Sequence, residues 1–314
     1  MTEAMTIQSS EAPVEAILRD ELAHGDVVLG TIGPVLGHLL ANHDHSLFSD
    51  EIVSRVRGMV AHIARQVSAA HADTVKTAPA ASEDLAERLL ANERLVSHCH
   101  ALALEWQLTS RLEGRSAIDP VLSPLLQALI ASDHAPTAGA AMAALASQAR
   151  FVQAQRRMEL PLTELPADLF QQVVLTWVDS IDDAAKASAA PTIDRLRTLF
   201  DESASRLGLL SRLIAGMGPG ARAALSVGHA GVAIFLSALA TMANVERDLA
   251  IVSTNDRQLA RLALMLRAAG QKPREVEEQF LTIHPDIALP EGFDDLRADR
   301  ASAMLAASGR TSAV

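Results

Sequence analysis

A chain of 314 residues, 49% hydrophobic and 21% charged, has apolar material for one large helical domain or two ordinary ones, which excludes a disordered polymer. Its formal net charge of −11 disfavours non-specific attraction to nucleic acid or an anionic membrane, and the absence of tyrosine removes common stacking platforms for single strands. Aromatics make up only 3%, with Ala and Leu dominant, so the core is expected to be helix packed on helix.

In chain order, residues 1–12 read as a flexible tail without a basic region and apolar run, so no secretory signal is expected. Leu18, Leu22 and Gly25 suggest a first helix stopped by glycine. The stretch "DVVLGTIGPVLGHLLAN" continues as an apolar helix that Pro34 must kink or divide. Ser49 can cap a helix whose Ile52, Val56, Met59, Val60, Ile63 and Val67 fall at helical spacing. "HADTVKTAPAAS" loses that period and reads as a linker, with Ser82 as the next cap.

A long helix is predicted over Glu83–Glu113, ending at Gly114, and another from Asp119 as cap with Pro120 at its first position. An alanine-rich helix and a proline-bounded turn with an amphipathic helix follow, and "DDAAKASAAP" is a second linker. The last helix is expected near "PEGFDDL". The result is all-α: about a dozen helices in irregular stacked hairpins, either helical-repeat-like or a multi-helix bundle. The helical regions are 13–185 and 191–305, with 306–314 as a tail. The cadence "LLQALIASD", "LLSRLIAGMG", "LALMLRAAGQ" is unevenly spaced, so no fixed-period solenoid is predicted.

Ala223–Val245 carries no formal charge and is long enough to span a bilayer, which takes about 20 apolar residues. His229, Asn244 and several hydroxyls interrupt it, and no strong basic flank precedes it. It is read as a core helix, with Val232, Phe235, Leu236 and Leu239 forming a buried stripe.

The rhythm of "GVAIFLSALATMANVERDLAIVSTNDRQLARLALMLRAAGQKPREVEEQFL", with "QRRMELPLTELPADLF" before it, resembles the uncharacterised bacterial family called domain of unknown function 2336. The resemblance covers roughly the C-terminal half. It implies a helical fold and carries over neither activity nor catalytic residues.

The stretch that looks most like chemistry is "GHLLANHDHSLFSDE", where His38, His43 and His45 crowd round Asp44. A metal needs three or four converging ligands, often paired at i, i+3 or i, i+4 on helices. The i+4 neighbour of His38 is Asn42, so a solvated helix junction is the better reading and no metal is expected. His98, Cys99 and His100 are consecutive, so on a helix they point three ways and cannot share a metal. The lone Cys99 excludes an intramolecular disulfide, fits a reducing compartment, and reads as a buried small hydrophobe.

"AGMGPGARAAL" could hold an anion on backbone N–H groups with Gly218, Gly220 and Arg222, but it lacks the preceding strand and Gly-Lys-Ser/Thr ending of a nucleotide loop. Arg150, Arg156 and Arg157 read as the solvated face of a helix whose Phe151 and Val152 point inward. Arg257, Arg261, Arg267, Lys272 and Arg274 read mostly as a solvated face too, forming a positive surface suited to an acidic protein partner.

With no catalytic motif recognised, the expected function is a cytoplasmic, non-enzymatic protein–protein interaction or regulatory module. No cofactor, nucleic acid or membrane is expected, and a small-molecule ligand is disfavoured. The alternatives are an enzyme or ligand-binding protein with a site between helices, using the Gly37–Glu51 histidines or the Gly216–Arg222 loop, and an accessory of two-component signalling.

Overall fold

The computed structural model of the chain describes residues 13–41, 50–75, 82–182, 186 and 189–308. Among them are fourteen α-helices, five short 3-10 segments and no strand. The helices are α1 (Pro13–Ala41), α2 (Asp50–Val75), α3 (Glu83–Leu90), α4 (Glu93–Ser116), α5 (Pro124–Ile130), α6 (Ala135–Arg156) and α7 (Ala167–Ser180). They continue with α8 (Ala189–Leu199), α9 (Arg206–Met217), α10 (Val227–Ala243), α11 (Arg247–Val252), α12 (Leu259–Ala268), α13 (Pro273–Ile283) and α14 (Ala298–Ser308).

Neighbouring helices pair as hairpins, α2 with α3, α5 with α6, α9 with α10 and α10 with α11. Long-range pairs tie these together: α2 on α4, α6 on α9, α12 on α14, and α1 across α4 and α12. One hydrophobic cluster runs through the molecule from Val14 to Leu305. α4 lies near its centre, with most of the stretch from Leu95 to Leu112 buried.

Several boundaries differ from the sequence reading, each for a local reason. α1 does not stop at Gly25 but runs unbroken through it and past Pro34. Gly25 marks a close approach instead: a Cβ there would sit 2.7 Å from Gln258 Oε1, while Gln258 Nε2 donates to the Gly25 carbonyl at 2.8 Å. The stretch read as one helix over Glu83–Glu113 divides at Ala91–Asn92, where the Asn92 side chain accepts from Leu95 N and caps α4. α4 then passes Gly114 and ends at Ala117, which adopts the left-handed conformation (φ 51°).

Asp119 caps a turn rather than a helix: its carboxylate accepts from the amides of Val121 and Leu122, both at 2.8 Å. A helix begun at Pro120 would place Pro124 where a proline removes a hydrogen bond and clashes with the carbonyl four residues back. α5 therefore starts at Pro124, capped by Ser123. α2 extends to Val75, into the expected linker, and near the C-terminus Phe293–Asp295 is a 3-10 turn with α14 beginning only at Ala298.

The uncharged segment begins in the last residues of a 3-10 helix, Gly218–Leu225, and continues as α10. Gly231 breaks the helical geometry of α10 (φ 73°, ψ 162°). The expected stripe is buried, with Val232 5% exposed and Phe235, Leu236 and Leu239 at 0%. The burial is not confined to one face, since every residue from Ala230 to Ala240 is buried. α9 and α12 pack against it, as does α11. No described helix is long and apolar enough to cross a membrane.

Candidate functional site

α4 presents different chemistry to different neighbours. On one side Glu105, 1% exposed, receives two guanidinium forks. Arg206 meets its carboxylate oxygens at 2.7 and 2.9 Å, and Arg247 at 2.8 and 2.9 Å. Arg206, also 1% exposed, reaches Gln148 Oε1 at 3.2 Å and lies over the Phe151 ring, 3.5 Å from its centroid. Arg247 Nε donates to Ser237 Oγ at 3.0 Å.

Burial by itself pushes the Glu105 carboxyl up, but the two arginines and their hydrogen bonds outweigh it and hold the group well below the usual carboxylate range. Four charge-assisted bonds saturate the carboxylate, so it is an anchor between α4, α9 and α11 rather than an acid or base. Beside it, Asp248 Oδ2 pairs with Nδ1 of the buried His98 at 2.7 Å. Burial, and then Asp248, raise the Cys99 thiol far above its ordinary range, so no thiolate forms there.

On another face, α4 borders an open groove of about 400 Å³ between α1, α4 and the 252–258 turn. Its walls carry Val28, Ile32 and Val35 from α1, Ile52 from α2, Leu104 from α4, and Val252. Gln107, Asn255, Asp256 and Arg257 bring polar groups to it. It adjoins a second hollow of about 340 Å³ that shares Leu104, Gln107, Asn255 and Asp256 and adds Leu108, Arg111 and Thr254.

His100 borders the groove and is 4% exposed; burial lowers its pKa to about 4, so the ring is neutral near pH 7. Because folding holds this base neutral, the unfolded chain takes up the proton first as pH falls. The penalty begins near the unfolded value of about 6.5 and reaches about 3 kcal/mol by pH 4. Burial also lowers His284, followed by the charge of Arg111, which adds in the same direction. Urea denaturation at pH 7 and pH 4 is expected to show a loss that His100→Gln reduces by about 3 kcal/mol. An identical pH slope in the variant would show that His100 does not carry the effect.

The residues singled out from the sequence do not converge on one site. His43 and His45 lie outside the described residues, and His38 falls in a part of α1 described for its backbone only. Among the described residues no group of His, Cys, Asp and Glu could hold a metal. The loop with Gly218 and Gly220 is the 3-10 helix, and the guanidinium of Arg222 donates to the carbonyl of Gly270.

The basic run is not one solvated face. Arg261 is 3% exposed and pairs with Asp26 of α1 and with Gln258 Oε1. Arg267 donates to the carbonyls of Leu296 and Gln271. Arg257, Lys272 and Arg274 remain exposed. Arg150, Arg156 and Arg157 are exposed as expected, over the buried Phe151 and Val152.

The Glu105, Arg206 and Arg247 cluster escaped sequence reading. The available signal was a charge on an apolar stripe: Glu105 stands between Ala101, Leu102 and Leu108 at helical spacing. Comparison with known proteins adds no relative, since no family model, curated protein or solved structure matches the chain.

Proposed function

We propose that the chain is a non-enzymatic interaction or regulatory module of the cytoplasm, which recognises another protein through the groove between α1, α4 and the 252–258 turn. On the leucine rhythm of Gly231–Leu281, its kinship is with the uncharacterised bacterial helical family named above.

The observation that carries the functional reading is the uneven covering of α1. One stripe of its first half is sealed, with Val14, Leu18 and Leu22 at 2–3% exposure, while Ile17 beside it is 49% exposed. Beyond the Gly25–Asp26 tie to Gln258 and Arg261, the groove-lining Val28, Ile32 and Val35 are only partly buried, and Val27 at the edge of that stripe is 67% exposed. An apolar helix face that borders an open groove is the kind of surface a partner covers. The saturated Glu105 cluster and the buried thiol also favour recognition over catalysis.

A photo-crosslinking residue at position 27, and separately at position 257, in the native cell tests this reading. One and the same protein is expected to crosslink from both positions. It should be lost on Ile32→Ser while the helical spectrum and a cooperative melting transition are retained. Crosslinks to unrelated proteins from the two positions, or none, would reject the reading.

A further inference from the structure

The groove has a shape that narrows the partner. The residues of α4 that line it and its extension are His100, Leu104, Gln107, Leu108 and Arg111. They fall at i, i+4, i+7, i+8 and i+11, which is one face of a helix. At about 1.5 Å per residue this stripe is roughly 16 Å long, or three turns. The opposing wall on α1, Val28, Ile32 and Val35, falls at i, i+4 and i+7. His100, Leu104 and Leu108 are 2–8% exposed and form the floor. The accessible rims are therefore Val28, Ile32 and Val35 on α1 and Gln107 and Arg111 on α4, along which a third helix packs.

The charge at this groove runs against that of the whole molecule. On a chain of net charge −11, the groove and its extension bring Arg257 and Arg111 together against one carboxylate, Asp256. Both arginines are exposed, and neither guanidinium has a hydrogen-bonded partner among the described residues.

We propose that the groove docks an amphipathic helix of about three turns, with aliphatic side chains seated between α1 and α4 and acidic residues meeting Arg111 and Arg257. The inference rests on the interaction reading above and specifies its partner. Aliphatic anchors at helical spacing supply the affinity, and the carboxylates fix which way the helix lies.

The test uses the full chain and three synthetic helical peptides of about four turns. One has leucines at i, i+4 and i+7 with glutamates on the flanks. The second carries lysines for the glutamates, and the third serines for the leucines. Titration followed by calorimetry is expected to show the acidic leucine peptide binding at least about tenfold more tightly than either companion, a difference of about 1.4 kcal/mol.

Arg111→Glu combined with Arg257→Glu, both at exposed positions, should reverse the order of the acidic and lysine peptides. Equal affinity for those two, or an acidic preference that survives the double variant, would overturn the proposal. So would dodecanoate binding the groove more tightly than every peptide, which would make the occupant a small amphiphile. Should one protein still crosslink from positions 27 and 257 while the acidic preference is missing, the interaction reading stands and the acidic helix alone is rejected.

Discussion

Glu105→Gln is expected to destabilise the protein by about 3–5 kcal/mol, the range for removing one member of a buried ion pair. The amide keeps the shape but offers one acceptor oxygen, where the carboxylate now takes four bonds from Arg206 and Arg247. Two guanidiniums would then face each other inside the protein with their mutual repulsion uncompensated. Against a typical total of 5–15 kcal/mol, this loss should lower the denaturant midpoint markedly and promote aggregation.

The companion variant separates charge from packing. Replacing all three residues, Glu105→Leu with Arg206→Met and Arg247→Met, removes the desolvation cost together with the attraction. Recovery to within about 1 kcal/mol of wild type is expected, since buried ion pairs often exchange for apolar groups at little cost. A Glu105→Gln protein with an unchanged midpoint would show that the network does not hold α4, α9 and α11 together. The pH dependence follows from the depressed carboxyl. The contribution is complete above the unfolded value of about 4.3 and declines as pH falls toward the lower folded value.

What the sequence made legible is what repeats locally. The Val56, Met59, Val60, Ile63 and Val67 stripe of α2 is 0% exposed at every position, because helical spacing alone decides which side chains share a face. The split at Asn92 and the start at Ser123 were harder to read. Several capping residues compete there, and the choice between Asp119 and Ser123 turns on the clash a second proline would create.

The charged sites were illegible for a different reason. Arg261 looks like any surface arginine until Asp26, 235 residues away, is brought beside it. Glu105 finds its partners 101 and 142 residues along the chain. The groove likewise joins α1, α4 and the 252–258 turn, segments whose own patterns do not specify their contacts. A charge on an apolar stripe signals that a buried partner is needed, and does not say which one.

Phe235→Ala is expected to cost about 3–5 kcal/mol, the range for deleting a buried aromatic ring. Phe235 is 0% exposed, and its neighbours Ala233, Ile234 and Leu236 on α10 are also buried, so there is little room for the site to relax into the lost volume. The helices that cover α10 are themselves fixed, α9 through Arg206 to Glu105 and α12 through Arg261 to Asp26. A cavity would therefore persist, and each persisting Å³ adds about 24 cal/mol to the cost. An uncharged helix lying in lipid would behave otherwise, because acyl chains can flow into the space a ring leaves. Thermal melting after expression without detergent separates the two cases. Wild type should stay in solution, with the variant melting well below it or aggregating. Recovery of wild type in the membrane fraction, with Phe235→Ala indistinguishable from it, would overturn the core assignment of α10.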